Sequence, residues 1–104
     1  THEQWIYQLN NAPLWLDKKE AIDQLKKDMN EEASNAFLNA LDHDFWNVKT
    51  MVMKNLDNVI EKQPNRTFNK LKFLAFEDPH SKVRASALKN IFLSETMHRV
   101  SFGG

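Results

Sequence analysis

The sequence contains no cysteine and almost no glycine. The two glycines are Gly103 and Gly104, and three prolines are the remaining strong turn-formers. Without cysteine, disulfides, thiolate nucleophiles and cysteine-based zinc sites are excluded. A chain with so few internal turn-formers is not expected to consist of many short strands.

Neither sign of charge is in excess, because 14 acidic residues balance 14 basic residues. Nucleic acid and anionic membrane surfaces both select for an excess of positive charge, so neither is expected as the main partner. No apolar run approaches the ~18 residues of a membrane span, and the polar segment 1–4 does not resemble a signal peptide. The sequence leaves the cellular compartment unknown.

Helical periodicity is what the sequence does contain. Apolar residues recur with helical spacing over 21–29, 33–41, 48–60 and 83–91, which is typical of amphipathic helices. Weaker stripes lie near both Trp5 and Leu71. The pattern predicts an all-α fold of six helices, at about 2–10, 17–29, 31–41, 45–61, 66–76 and 79–93.

Polar residues at the predicted helix starts have the chemistry of caps. Their side chains accept hydrogen bonds from the first backbone N–H groups of a helix, which have no partner inside it. One has the spacing of a capping box and one precedes a proline at the predicted first helical position. The predicted caps are Asp17 with Glu20, Asn30 before two glutamates, Asp44, and Asp78 before Pro79.

The predicted helices group into pairs that repeat after 35 residues. With this shift the segment 41–49 lies over 76–84, apolar positions meet apolar positions, and Lys49 falls on Arg84. The first pair matches less well: with Pro13 laid over Pro79, Lys18 falls on Arg84, but Asp17 then occupies a valine position. One helix pair cannot bury its own apolar face, so about three stacked pairs are expected.

The segment 76–91 resembles a HEAT repeat of the short, phycobilisome-lyase type. The shared features are an acidic-Pro turn, a Val-Arg pair and an Ala-Leu pair: Asp78-Pro79, Val83-Arg84 and Ala87-Leu88. The segment 41–56 is a weaker copy. The resemblance implies an α-α superhelix, a HEAT/armadillo-like solenoid, in one domain over 1–104. Its repeats are expected at about 1–29, 30–63 and 64–95, followed by a tail at 96–104.

The segment 11–22 resembles part of the bacterial zinc aminopeptidases of the alanyl-aminopeptidase type. In that family it follows the catalytic domain and opens a C-terminal helical region. Later features occur there in similar order: Ala40-Leu41-Asp42, Phe45-Trp46 and Asp78-Pro79. The resemblance implies that the chain is a fragment, the non-catalytic C-terminal repeat region of a larger metallopeptidase. Zinc is expected only in the missing catalytic domain.

No catalytic, cofactor-binding or metal site is predicted in the chain itself. The family's His-Glu-x-x-His motif is absent, because His2-Glu3 is followed by Ile6 where the second histidine would stand. No two histidines share a helical face at the spacing that zinc needs. No serine lies in a Gly-x-Ser-x-Gly elbow. The interleaved charges of 17–28 predict an ion-paired, solvated face that includes the lysines Lys18, Lys19, Lys26 and Lys27.

Three large aromatic residues are the candidate interface: Trp15, Phe45 and Trp46. Packing in the core or at the end of the stack is the alternative for each of them. Phe45 and Trp46 are adjacent at a predicted helix start, where only one of two neighbours readily faces inward, so the other is expected to be exposed. Trp15 lies in the predicted loop after Pro13.

Three functions follow from these observations. The first is a module that packs on, or gates, the catalytic domain of a zinc aminopeptidase, and the isolated module is then expected to self-associate through an uncovered end. The second is an independent HEAT scaffold that binds a protein or peptide on its concave face. The third, a HEAT-like DNA-repair glycosylase, is disfavoured by the zero net charge and the short chain. A coding region for His-Glu-x-x-His immediately upstream would favour the first over the second.

Overall fold

A computed structural model of the chain is all-helical. It describes residues 1–103, with side chains described for 1–94. Within that range it contains seven α-helices, one 3-10 turn and no strand, which confirms the predicted all-α class. The helices are α1 His2–Asn11, α2 Trp15–Leu25 with the 3-10 turn Lys26–Asp28 after it, α3 Glu31–Ala40, α4 Trp46–Met53, α5 Asp57–Lys62, α6 Pro64–Glu77 and α7 Ser81–Gly103.

The predicted helix over 45–61 is wrong, because the chain breaks between α4 and α5. The Asn55 side chain donates to a backbone carbonyl one turn earlier, at 2.8 Å. Asn58 Nδ2 donates to the carbonyl of Lys26 at 3.2 Å and ties α5 to the end of α2. Leu56, at the break, is 1% exposed. The break therefore adds a seventh helix while the apolar stripe stays buried.

The cap of α3 is confirmed and that of α2 is wrong. Asn30 Oδ1 accepts the Ala33 N–H at 2.7 Å, and two glutamates occupy the first turn, where the helix dipole favours negative charge. The helix α2 already begins at Trp15, so Asp17 lies within its first turn and forms no capping box with Glu20. The Asp17 carbonyl instead accepts a bond from a glutamine side chain of α1.

Two histidines, rather than two aspartates, bind the N–H groups at the starts of α4 and α7. His43 Nδ1 accepts the Phe45 N–H at 3.1 Å, and His80 Nδ1 accepts the Lys82 N–H at 3.1 Å. The predicted cap Asp44 is therefore wrong. Asp78 ends α6 and does not start α7, because α7 begins at Ser81.

The helix pairs contact one another in chain order. α1 packs on α2 and α3, α2 also packs on α4, and α4 packs on α7. α5 lies between α3 and α6, and α6 packs extensively on α7. The Cα atoms span 41 × 31 × 18 Å. The contacts link α1, α3, α5 and α6 in one series, termed here the first row, and α2, α4 and α7 in another, the second row.

The buried apolar side chains form one contiguous cluster that extends from Leu9 to Ala87. Positions that the 35-residue shift matches are buried together at the inner side of the second row: Val48 with Val83, and Val52 with Ala87. The matched positions of the first row differ. Leu38 and Leu41 are buried, whereas Phe73 and Phe76 are 57% and 73% exposed. The third helix pair, α6 and α7, thus exposes apolar positions that are buried in the second pair, α3 and α4.

The last helix extends past its predicted end at residue 93, since α7 is Ser81–Gly103. The predicted tail over 96–104 falls on residues whose side chains lie outside the described part of the chain. In the part that is described, no helix combines the length and apolarity needed to cross a bilayer.

Candidate functional site

Two of the three predicted interface residues lie on one groove, termed here the aromatic groove. It has a volume of about 470 Å³ and lies between the α1–α2 turn and the start of α4. Trp15 is 39% exposed and Phe45 is 64% exposed, although 30 positions separate them in the sequence. The groove is lined by these two and by Asn10, Lys18, His43 and Asn47, among others.

Trp46 lies at a separate, smaller cleft beside the α6–α7 turn. Its indole stacks on the imidazole of His80, with 4.7 Å between ring centroids and 16° between planes. Lys82 Nζ lies 4.8 Å from the centre of the indole ring. Neither Trp46 nor Phe45 is buried, and Phe45, at 64% against 39%, is the more exposed of the pair. Trp46 links α4 to the start of α7.

Lys18 contradicts the prediction of a solvated lysine, because it is only 5% exposed. Its Nζ donates to the carbonyl of Leu9 at 2.7 Å. That carbonyl would accept from residue 13 in a continuing helix, but Pro13 has no N–H to donate. Burial lowers the pKa of the Lys18 ammonium. Lys18 therefore stabilises the end of α1 with a positive charge, where the helix dipole favours one.

The neighbouring lysines match the prediction of an ion-paired surface. Lys19 and Lys26 lie 3.0 and 3.4 Å from the carboxylate of Asp23. All three side chains are more than a third exposed, so these pairs contribute only about 0.2–1 kcal/mol each. No carboxylate of the described residues forms an ion pair with Lys18.

His43 adds a neutral ring to the aromatic groove. Burial, together with the positive charges of Lys18 and Lys49, lowers the pKa of His43 against the opposing effect of Asp44. Its Nδ1 accepts a backbone N–H, so its proton lies on Nε2. The ring stacks on Phe45 at 5.6 Å. At neutral pH the groove thus holds one cation, Lys18, among uncharged aromatic and amide groups.

A second polar cluster surrounds Asp78 in the α6–α7 turn. The Asp78 side chain is 3% exposed and forms an ion pair with Lys49 of α4. The His80 N–H donates to the other carboxylate oxygen at 2.9 Å, and Arg84 donates to the Asp78 carbonyl at 2.7 Å. The two basic residues that the sequence repeat matches, Lys49 and Arg84, therefore converge on one aspartate.

Acid is expected to destabilise the protein through Asp78. Burial by itself would raise the pKa of Asp78, but the bonds from Lys49 and the His80 N–H outweigh it and hold the pKa below the ordinary 3.8. A carboxylate with a lowered folded pKa stabilises the fold above its ordinary pKa, and this contribution is lost as the pH falls through the lowered value.

Urea unfolding of the wild type and of Asp78→Asn at several pH values, between roughly pH 6 and pH 2, measures this contribution. The two free energies of unfolding should differ most above pH 4 and converge below it. A difference that stays constant over the whole range would contradict the role of the Asp78 charge.

In the described part of the chain, no three histidine, aspartate or glutamate side chains lie close enough together to hold a metal ion. Sequence reasoning had not singled out Lys18 as a site residue, although a signal for it exists. Lys18 precedes Ala21, Ile22 and Leu25 at spacings of three, four and seven, which places it on the buried stripe of α2.

Neither the all-helical fold nor these two clusters identify a protein family by themselves. The likeness to HEAT repeats and to the C-terminal region of zinc aminopeptidases therefore stays a prediction from the sequence. The chain matches no known protein-family model, no curated protein and no solved structure.

Proposed function

We propose that this chain is a non-catalytic HEAT-like repeat module of a zinc-dependent aminopeptidase, which packs on the catalytic domain or gates access to it. One observation carries the interaction role. Trp15 and Phe45 come from different helix pairs, yet they lie on one groove and keep much of their apolar surface exposed. Exposed aromatic side chains of this kind are the usual anchors of protein interfaces.

The order in which the helices contact one another supports a HEAT-like α-α superhelix. Each helix pair packs on the next, and α5 is an extra element between the second and third pairs. The second helices of these two pairs start at Trp46 and Ser81, which are 35 residues apart and match the sequence repeat. Lys18 and Arg84, which the repeat also matches, both donate to a carbonyl at the end of the preceding helix.

Exposed apolar side chains on the last two helices favour the expected self-association of the isolated module. Phe73 and Phe76 of α6 and Leu88 of α7 are between 50% and 73% exposed. Exposed apolar groups become interaction sites where they lie together. In the proposed parent enzyme, these side chains are expected to be covered by another part of the same protein.

The proposal is tested by enzymology and by gene structure. The purified chain with added zinc is expected to hydrolyse no aminoacyl-p-nitroanilide, because the module supplies no zinc-binding or catalytic motif. Zinc-dependent turnover that persists in repurified chain would overturn the module proposal. The coding region directly upstream is expected to encode His-Glu-x-x-His, and a gene without it would refute the aminopeptidase parentage.

An independent HEAT scaffold for a protein or peptide is the alternative function. It is favoured by one observation: Trp15 and Phe45, from two different helix pairs, line one groove of about 470 Å³, a size that accommodates side chains of a bound peptide. An upstream region without the peptidase motif would favour the scaffold and leave the interaction role of the groove intact.

A further inference from the structure

We infer that the aromatic groove binds an acidic side chain of a partner polypeptide, presented beside an aromatic or aliphatic residue. This rests on the proposed function in one respect, since the partner is the protein surface that the module contacts. The inference adds the chemistry by which that surface is recognised.

The first argument is the unmatched charge of Lys18. Its ammonium has three N–H bonds, and in the described part of the chain the Leu9 carbonyl is its acceptor. Lys49 offers a direct comparison. It is 13% exposed in its side chain and is neutralised by the carboxylate of Asp78, whereas the more buried Lys18 has no acid. Burial of a cation without a counter-ion is unfavourable in free energy. A carboxylate that binds in the groove would supply the counter-ion and relieve this unfavourable term.

The second argument is the environment around that charge. Trp15 and Phe45 line the groove with apolar rings, and a hydrogen bond between ions becomes stronger where a bound partner excludes water. His43, with its lowered pKa, adds no second positive charge at neutral pH. Side chains of Asn10 and Asn47 also line the groove and offer N–H donors to the second carboxylate oxygen.

The third argument concerns size and charge number. The groove of about 470 Å³ lies in the range of known ligand pockets, about 300–1,000 Å³, and accommodates a carboxylate together with a neighbouring apolar group. A phosphate group carries close to two negative charges and is typically bound by clustered arginines. A single lysine among aromatic rings favours one carboxylate with an apolar neighbour.

Short peptides test the inference directly. The probes are acetyl-Phe-Glu-amide, its uncharged match acetyl-Phe-Gln-amide, and acetyl-Gly-Phe, whose only carboxylate is at its C-terminus. Each is titrated into the ¹⁵N-labelled full chain and followed by NMR chemical shifts. The glutamate peptide is expected to shift the amides of Lys18, Phe45 and Asn47. It should bind about tenfold more tightly than the glutamine peptide, because a hydrogen bond to a charged group is lost in the latter.

Variants assign the binding to the groove. Lys18→Met should abolish the preference for glutamate over glutamine. Because Lys18 also supports the end of α1, Phe45→Ala provides a second test that leaves the core intact. It should weaken binding of the glutamate peptide at least fivefold, since it removes an apolar wall. Phe92→Ala changes an exposed phenylalanine of α7 that lies outside the groove, and this matched control should bind the peptide as the wild type does.

Several outcomes would overturn the inference. The first is equal binding of the glutamate and glutamine peptides, and the second is no binding by either. The third is chemical-shift changes that map outside the groove. The fourth is binding of acetyl-Gly-Phe alone, because the groove would then recognise a C-terminal carboxylate. Failure of the proposed parentage is distinguishable. A gene without the upstream peptidase motif refutes the parentage while the preference for glutamate stands, and a gene with the motif leaves the parentage in place if that preference is absent.

Discussion

Replacement of Phe37 by alanine is expected to lower the free energy of unfolding by about 4 kcal/mol. Phe37 lies in α3 and its side chain is fully buried. It is the largest of the fully buried side chains in the core. Its removal deletes apolar contact area and leaves a cavity that the surrounding helices fill only in part. Because α3 packs on α1, α4 and α5, the loss is shared by neighbours on both sides.

Urea unfolding followed by circular dichroism measures this effect, and Phe76→Ala is its control. Phe76 has the same side chain but is 73% exposed, so the control should change the free energy of unfolding by no more than about 0.5 kcal/mol. If the two variants were equally destabilised, the burial of Phe37 in the core would be wrong.

Replacement of Lys49 by methionine is expected to destabilise the protein by about 3 kcal/mol. The effect has little to do with the apolar stem of the side chain, which methionine largely keeps. It arises because the carboxylate of Asp78, 3% exposed, would lose its counter-ion while it stays buried. A buried charge without a partner is more costly than the loss of an exposed ion pair.

Two further variants separate the charge effect from general damage. Lys19→Met removes an exposed member of the Lys19–Asp23 pair and should cost about 0.5 kcal/mol or less. Addition of Asp78→Asn to Lys49→Met should recover part of the lost stability, because the uncompensated charge is then gone. Strictly additive losses in this double variant would show that Lys49 and Asp78 do not interact.

The sequence predicted those parts of the fold that depend on local chemistry. Apolar residues at helical spacing were sufficient to place most helices, because burial of one stripe decides helix formation. The Asn30 cap was also predictable, since a cap needs only its own side chain and the N–H three residues later. Trp15 and Phe45 were both chosen as candidate interface residues from their size and position. Their common groove depends on how two helix pairs pack, and no local pattern encodes that.

The features that were missed depend on contacts between distant segments. The break before α5 occurs without glycine or proline, and it is held in part by the bond from Asn58 to the carbonyl of Lys26. The proline after Asp78 predicts a cap of the following helix, but Lys49, 29 residues earlier, binds the Asp78 carboxylate. The charged neighbours of Lys18 predict a solvated side chain, but Pro13 leaves the Leu9 carbonyl available to its ammonium.

The ion pair between Lys49 and Asp78 has a consequence for any dissection of the chain. A cut at residue 63, the predicted boundary between the second and third repeats, would separate this ammonium from its acid and Trp46 from His80. Both pieces would then expose groups that contact each other in the intact chain. A segment such as 45–80, which begins at one turn and ends at the next, would keep both contacts within a single piece.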